Sequence, residues 1–218
     1  MGSGEYLFLL KGLQWTLLLS LVSFVCGTVT GLAIALLRTS GNRYVERATA
    51  GYIAVFQGTP LLMQLFVVYY GLALYGMKLD AWVAIAVGFT LHSSAYLGEI
   101  WRGSIQSVPK PQWEAAEGLA LSRTQRMLKV ILPQAIRIAT PPTVGFMVQI
   151  IKNTSLASVV GFVELMRSGQ IVNNSLFEPF AIYAIIAVVY FAMCYPLSLF
   201  SQKLERRMGR GRSNLAPA

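Results

Sequence analysis

Few residues in this chain have the types and spacing that chemistry needs. Its single histidine, His92, has no second ligand at metal-binding distance along the chain and no serine and acid arranged with it as a triad. It reads as a neutral residue packed between helices. Cys26 and Cys194 stand alone inside apolar blocks and read as small buried side chains, with no basis for a disulfide or a metal site. No GxxxxGK[ST] phosphate loop occurs, so the chain offers no standard ATP-binding site of its own. What remains is a polar file inside a hydrophobic region, Lys152, Asn153, Thr154 and Ser155, and a carboxylate, Glu99, near the end of another. A lysine so placed can neutralise a solute carboxylate, with the amide and hydroxyls bonding its polar groups. Equally, Lys152 can snorkel while its neighbours cap a broken helix. Glu99, three positions before Arg102, suits an i,i+3 ion pair and is a candidate gate or structural charge. No catalytic residue and no metal ligand is assigned.

The rest of the chain determines where these groups must sit. Of 218 residues, 55% are hydrophobic and 12% charged, whereas about a quarter would be charged in a soluble domain. Uncharged blocks at 12–37, 48–77, 81–98 and 179–202 are long enough to cross a bilayer. The first is too long for the apolar core of a cleaved signal peptide and reads as a retained span. The 48–77 block exceeds one crossing, and Gly58 and Pro60 in FQGTPLL mark where its helix can bend or begin. The block at 138–151 covers only about 21 Å as a helix, against roughly 30 Å of hydrocarbon. Lys152 is therefore expected within the hydrophobic zone or at its outer edge, and the helix is expected to break there. The fold class predicted is an all-α integral membrane protein, one membrane domain over residues 1–218. Its five spans lie at about 12–37, 48–77, 81–100, 138–163 (with that break) and 179–202. In the first span Gly27 and Gly31 form a small-xxx-small pair, a face that suits a second copy of the chain or a related partner.

The net charge of +9 could suggest nucleic acid, but its distribution gives a membrane topology instead. With the N-terminus outside and the C-terminus cytoplasmic, fourteen basic residues fall inside: Arg38, Arg43, Arg47, the six from Arg102 to Arg137, and the five from Lys203 to Arg212. Only Lys11, Lys78 and Arg167 fall outside. No nucleic-acid partner is expected.

Residues 102–137 form a long connection that is not disordered in composition. Pro111 suits the first turn of a helix, and Glu114 and Glu117 suit the early turns beside its positive end. Trp113, Ala116, Leu119 and Leu121 give it an apolar side. A second short helix is expected from Ser122, since SRTQ carries a capping box with Gln125, and Pro133 is expected to bend or break it before the membrane. The result is a cytoplasmic helical hairpin with a corner, able either to dock a partner or to pack on its own membrane body.

Glu114–Ala115–Ala116, followed by Ile131–Leu132–Pro133, resembles the EAA loop of importer-type ABC permeases. GTPLLMQLFVVYYGL, AYLGEIWRGSIQSVPKPQWEAA, ILPQAIRIATPP and KNTSLASVVGFVEL, in that order over nearly the whole chain, resemble the polar amino-acid branch of that family. The resemblance implies a bilayer-embedded permease half in the bacterial inner membrane, paired with a second permease copy or a related heteropartner. It also implies ATP-binding cassette subunits, which would hold ATP and Mg, and an external solute-binding protein delivering an amino-acid substrate. On the same resemblance the coupling helix comprises Pro111, Trp113, Glu114, Ala115, Ala116, Glu117, Gly118 and Leu119. Glu114 would pair with a basic ATPase residue, and Trp113 and Leu119 would be packing anchors. The chain departs from the family pattern at Ala120, where glycine is usual and Gly118 stands two residues earlier, so a shifted turn is expected. It departs also at Gln57, where arginine is common, and at Pro111, where glycine is common. The other functional classes compatible with the residues alone are a single-component transporter or channel, and a non-transporting scaffold.

Overall fold

The computed structural model describes residues 2–77 and 79–213, excepting the side chains of 209–213. Lys78 and the side chains of Arg210 and Arg212, counted above in the charge asymmetry, lie outside the described residues. Among the described residues the chain is helical and contains no strand. The first helix, α1, is Ser3–Arg38, nine residues longer at its start than the apolar block because Tyr6, Leu7 and Leu10 continue its exposed apolar side. α2 is Arg43–Gly58, with the Asn42 side chain accepting from the amides of Tyr44 and Val45. α3 is Leu61–Leu74, bent from α2 by 106° at Thr59–Pro60, so the second apolar block is a broken span, as its length and Pro60 suggest. α4 is Ala81–Gln106, α5 is Lys110–Gly118, α6 is Arg123–Val160, α7 is Leu165–Leu176 and α8 is Pro179–Ser213.

The fourth span differs most from expectation. Pro133 does not break it, and the second hairpin helix and the span are one continuous element. The turn at Arg126–Ile131 widens into a π-helix just before Pro133. Such a turn relieves the clash of a proline ring with the turn preceding it. Nor does the helix break at Lys152: it tightens into a 3₁₀ segment, Thr154–Val160, and ends at Gly161, whose φ of 87° needs a glycine.

Lipid gives little reward for burying one apolar side chain against another, so close backbone approach must hold the spans together. The buried stripe of α1 is built for this: Gly12, Thr16, Ser20, Ser23, Gly27, Gly31 and Ala35, with Leu9 and Leu19 as its only large members. Its main partner is α4. A Cβ on Gly27 would stand 2.6 Å from Ser93 Cβ, and one on Gly31 would stand 2.9 Å from the Gly98 amide nitrogen. The close approach that the Gly27/Gly31 spacing permits is therefore used inside the chain, and not left free for a second permease. Its small side chains fit α4 because α4 presents Ser93, Ser94 and Gly98 in return.

The bend between α2 and α3 frees backbone carbonyls, and Gln64 satisfies them. Its Nε2 donates to the carbonyls of Phe56 (2.8 Å) and Thr59 (3.0 Å). With that nitrogen committed, Oε1 faces His92 Nδ1 at 3.1 Å, so His92 donates from Nδ1. His92 is buried, its ring centroid 4.7 Å from that of Tyr96 at a tilt of 40°, and acts as the packed residue the sequence suggested.

Pairings at the two ends set the directions of the helices. Arg38 meets Glu99 where α1 and α4 approach the hairpin, whereas along α8 Tyr190 meets Glu164, just past the far end of α6, and Ser201 donates to the Pro141 carbonyl at the middle of α6. α1, α4 and α8 thus run toward the hairpin and α6 runs away from it.

Gly31→Val is expected to drive its Cβ into the Gly98 and Ser94 backbone, which cannot yield, at a cost of about 1–3 kcal/mol. Thermal unfolding in detergent should show a lower Tm, while Gly51→Val, which has no neighbour within 4 Å of its added Cβ, should leave it near the wild type. Equal Tm values for the two variants would refute the close-packed seam.

Candidate functional site

The hairpin is fastened to the spans on one side and open on the other. Trp113 is half-buried against a core formed by Ala35 of α1, Leu97, Trp101 and Ile105 of α4, and Ile131, Ala135 and Ala139 of α6, and Ala116 is buried on the same helix. Pro111, Glu114, Ala115, Glu117, Gly118 and Leu119 are exposed, Leu119 by 75%. Trp113 thus anchors the hairpin inward, and Leu119 stands outward on the free face. The Ser122 capping box forms: its Oγ accepts from the Gln125 amide at 3.3 Å, and Gln125 Oε1 accepts from the Ser122 amide at 3.0 Å. Glu117 and Arg126, 3.1 Å apart, bridge the two arms.

The turn is not shifted to Gly118. Gly118 stays within α5, and the left-handed residue is Ala120, at φ 53°. Its amide donates to Glu117 O at 2.8 Å and the next amide, from Leu121, to Ala116 O at 3.3 Å, closing the helix end.

Glu99 sits just before the hairpin with both oxygens engaged. Arg38 Nη1 reaches Oε2 at 2.6 Å, Arg102 Nε reaches the same oxygen at 2.9 Å, and Arg102 Nη2 pairs with Oε1. The i,i+3 pair read from the sequence is present, and Arg38, 61 positions away, completes it into a clamp between α1 and α4. Arg102 also donates to Gln106, one turn nearer the hairpin.

The polar file at the far end of α6 does not act as one unit. Thr154 is fully buried, and its hydroxyl donates back to the Ile151 carbonyl at 2.7 Å. The Ser155 hydroxyl donates to the Lys152 carbonyl at 2.8 Å, and Asn153 Oδ1 accepts from Gln149 at 3.3 Å. Lys152 alone is exposed, on an open groove of about 260 Å³ between α6 and α8, lined also by Val148, Tyr190, Cys194, Tyr195 and Ser198.

Beside that groove lies a residue absent from the sequence reading of sites. Glu164 caps α7, is fully buried, and accepts from the amides of Met166 (2.9 Å) and Arg167 (2.8 Å). Tyr190 Oη donates to it at 3.0 Å and Thr16 Oγ1 at 3.4 Å, while Thr16 accepts from the Leu165 amide at 3.1 Å. One carboxylate thereby joins α1, α7 and α8, with hydroxyls and amides in place of a cation. The available signal was an ionisable residue set in the uncharged run between Lys152 and Arg167. Among the described residues no group of three or more His, Cys, Asp or Glu could hold a metal ion.

Comparison with known proteins gives these features a context. Residues 27–210 match the model of a family described as binding-protein-dependent transport system inner membrane component. The probable amino-acid ABC transporter permease protein YckA of Bacillus subtilis (strain 168) is 40% identical over 92% of this chain and 88% of its own. The L-cystine transport system permease protein TcyB of the same organism is 37% identical over 91% and 86%. Among solved structures, a chain from a crystal structure of an amino acid ABC transporter with histidines superposes with a TM-score of 0.86. It is 36% identical and covers 92% of this chain and 94% of its own. The methionine transporter MetNI, in an inward-facing conformation, shares the fold with a TM-score of 0.81 at 17% identity, covering 95% of this chain and 99% of its own.

Ala120→Gly is expected to relieve about 1 kcal/mol of left-handed strain without moving the turn. Hydrogen exchange of the amides of Ala120 and Leu121 should slow in the glycine variant and quicken in Ala120→Val. The opposite order would mean that residue 120 is not left-handed.

Proposed function

The chain belongs to the binding-protein-dependent transport system inner membrane component family, as a permease subunit of the amino-acid ABC transporters, and from that premise we propose that it imports an amino acid by alternating access. It is a multi-pass membrane protein and a transport subunit rather than an enzyme. ATP and Mg²⁺ bind in a separate ATPase subunit, which grips the hairpin. An external solute-binding protein delivers the substrate at the opposite end, and a second permease, a copy or a relative, completes the pathway. The basic asymmetry of the sequence supports a cytoplasmic hairpin and C-terminus with the N-terminus outside, and membership of the family supports the bacterial inner membrane as the location.

One observation carries this reading: the hairpin is seated on the spans by Trp113, with Ala116 buried beneath it, while its other face stays open. Self-packing would have covered Leu119 and the Glu114 side of α5. An ATPase that closes on nucleotide can shift the permease only by contacting its two states differently, and a firmly seated handle transmits that difference. At the far end Lys152 faces the groove as the proposed contact for the substrate carboxylate, with Tyr190 beside it. That contact leaves the side chain of the amino acid unspecified, since every amino acid carries the carboxylate.

The test is uptake in vesicles holding the permease with its co-purified ATPase and binding protein, using labelled L-glutamine, L-cystine, L-histidine and L-arginine. Uptake by the wild type should require ATP and the ATPase; uptake at full rate without them would overturn the reading in favour of a single-component transporter or channel. Glu114→Lys should lower ATP-dependent uptake by roughly tenfold through loss of a charge pairing at the ATPase. Lys152→Met should raise KM by roughly tenfold, with little change in maximal rate, as expected for loss of a charge-assisted bond to substrate. An unchanged KM would dismiss Lys152 as the carboxylate contact.

A further inference from the structure

The hairpin touches the membrane body at a second place that its apolar seat does not include. Arg123 is the first residue of α6, beyond the capping Ser122, and its Nη2 donates to the Thr39 carbonyl at 3.0 Å, across 84 positions of sequence. Thr39 is the cap of α1, so the bond satisfies a carbonyl at the negative end of that helix, where a guanidinium is favoured by charge as well as by geometry. The same guanidinium lies over Gly41. A Cβ there would meet Nη2 at 2.8 Å, Nη1 at 3.1 Å and Cζ at 3.3 Å, and the φ of 77° independently demands glycine. The turn between α1 and α2 is thus shaped to receive a flat cation from the hairpin. One residue before Thr39, Arg38 is held to α4 by Glu99. The end of α1 is consequently gripped from two sides, by α4 through Glu99 and by the hairpin through Arg123.

Resting on the transport reading above, we propose that Arg123 is a positioning residue for energy coupling: a strut that carries movement of the hairpin to the α1–α2 turn, and so to the broken span α2–α3. α5 continues from α4, which packs on the body of α2, where the Tyr52 hydroxyl bonds the Leu91 carbonyl and Ser94. Arg123 is the hairpin's own contact with the α1–α2 turn, just before α2 begins. A lysine in its place can reach the Thr39 carbonyl but cannot cover Gly41 with a planar group.

The experiment uses the complete transporter in vesicles and measures labelled amino acid imported per ATP hydrolysed, a ratio that loss of folded protein alone would not move. Arg123→Ala should lower the ratio about fivefold, and Arg123→Lys should recover part of it. Gly41→Ala should lower it through both the strained φ and the clash with the guanidinium, and because the clash is absent without Arg123 the two substitutions together should lower it by less than the product of their separate effects. A second measurement needs no transport: amide exchange in residues 39–42 of the permease should quicken in Arg123→Ala and slow again in Arg123→Lys. A wild-type ratio and wild-type exchange in Arg123→Ala would overturn the strut while leaving the transport reading intact. Absence of ATP-dependent uptake in the wild-type complex would overturn both.

Discussion

Close contact between α1 and α4 is the constraint on which the remaining architecture depends. In water the burial of leucines would hold two helices together, but in lipid the unpaired alternative is almost as comfortable for them. What distinguishes the packed state is van der Waals contact at short range, and glycine, serine and alanine permit it. The seam therefore uses Gly27 against Ser93 and Gly31 against Gly98, where no larger side chain fits. The apolar side chains that would form the core of a soluble protein, such as Leu17, Leu21, Val25 and Val29, face outward instead.

The seam fixes the relative height of the two helices, and that height brings polar groups together at both ends. Near the hairpin, Arg38 and Glu99 meet across it. At the other end Thr16 of α1 reaches Glu164 and the amide of Leu165, where α8 adds Tyr190. Neither node would form if one helix slid by a turn, about 5.4 Å along its axis. The nodes thus discriminate among heights that a smooth seam of small residues would otherwise tolerate. Between them, Gln64 stabilises the break of the second span by donating to its freed carbonyls, and His92 holds the Gln64 side-chain oxygen.

The hairpin is continuous with two spans. α4 passes through the short link at Ser107–Pro109 into α5, and α6 runs without a break from the hairpin to Val160. The irregular points of α6 are the π turn before Pro133 and the 3₁₀ segment after Asn153, placed at either end of its regular portion. A displacement applied to the hairpin therefore acts on α6 as on a lever, and the apolar seat around Trp101 and Ile131 keeps that lever in register with α1 and α4. A partner at the hairpin and a solute near Lys152 would address opposite ends of the same helix.

Much of this was legible in the sequence where the cause is local. The spans follow from uncharged length, the bend from Pro60, the second hairpin arm from the Ser122 capping box, and the Glu99–Arg102 pair from helical spacing. The family followed from four motifs in order. Other features depend on which segments meet. Pro133 predicts a break only if no widened turn accommodates it, and Gly27 and Gly31 state that something approaches closely without naming α4 over a second chain. Arg38 with Glu99, Thr16 and Tyr190 with Glu164, and Arg123 with Thr39 are paired across 26 to 148 positions. Hydrogen-bonding capacity and helical period are properties of residues and their near neighbours, so the sequence alone determined the elements and their polar needs. Which distant donor meets each need is set by the height and rotation at which the helices pack, and only the tertiary structure decided that.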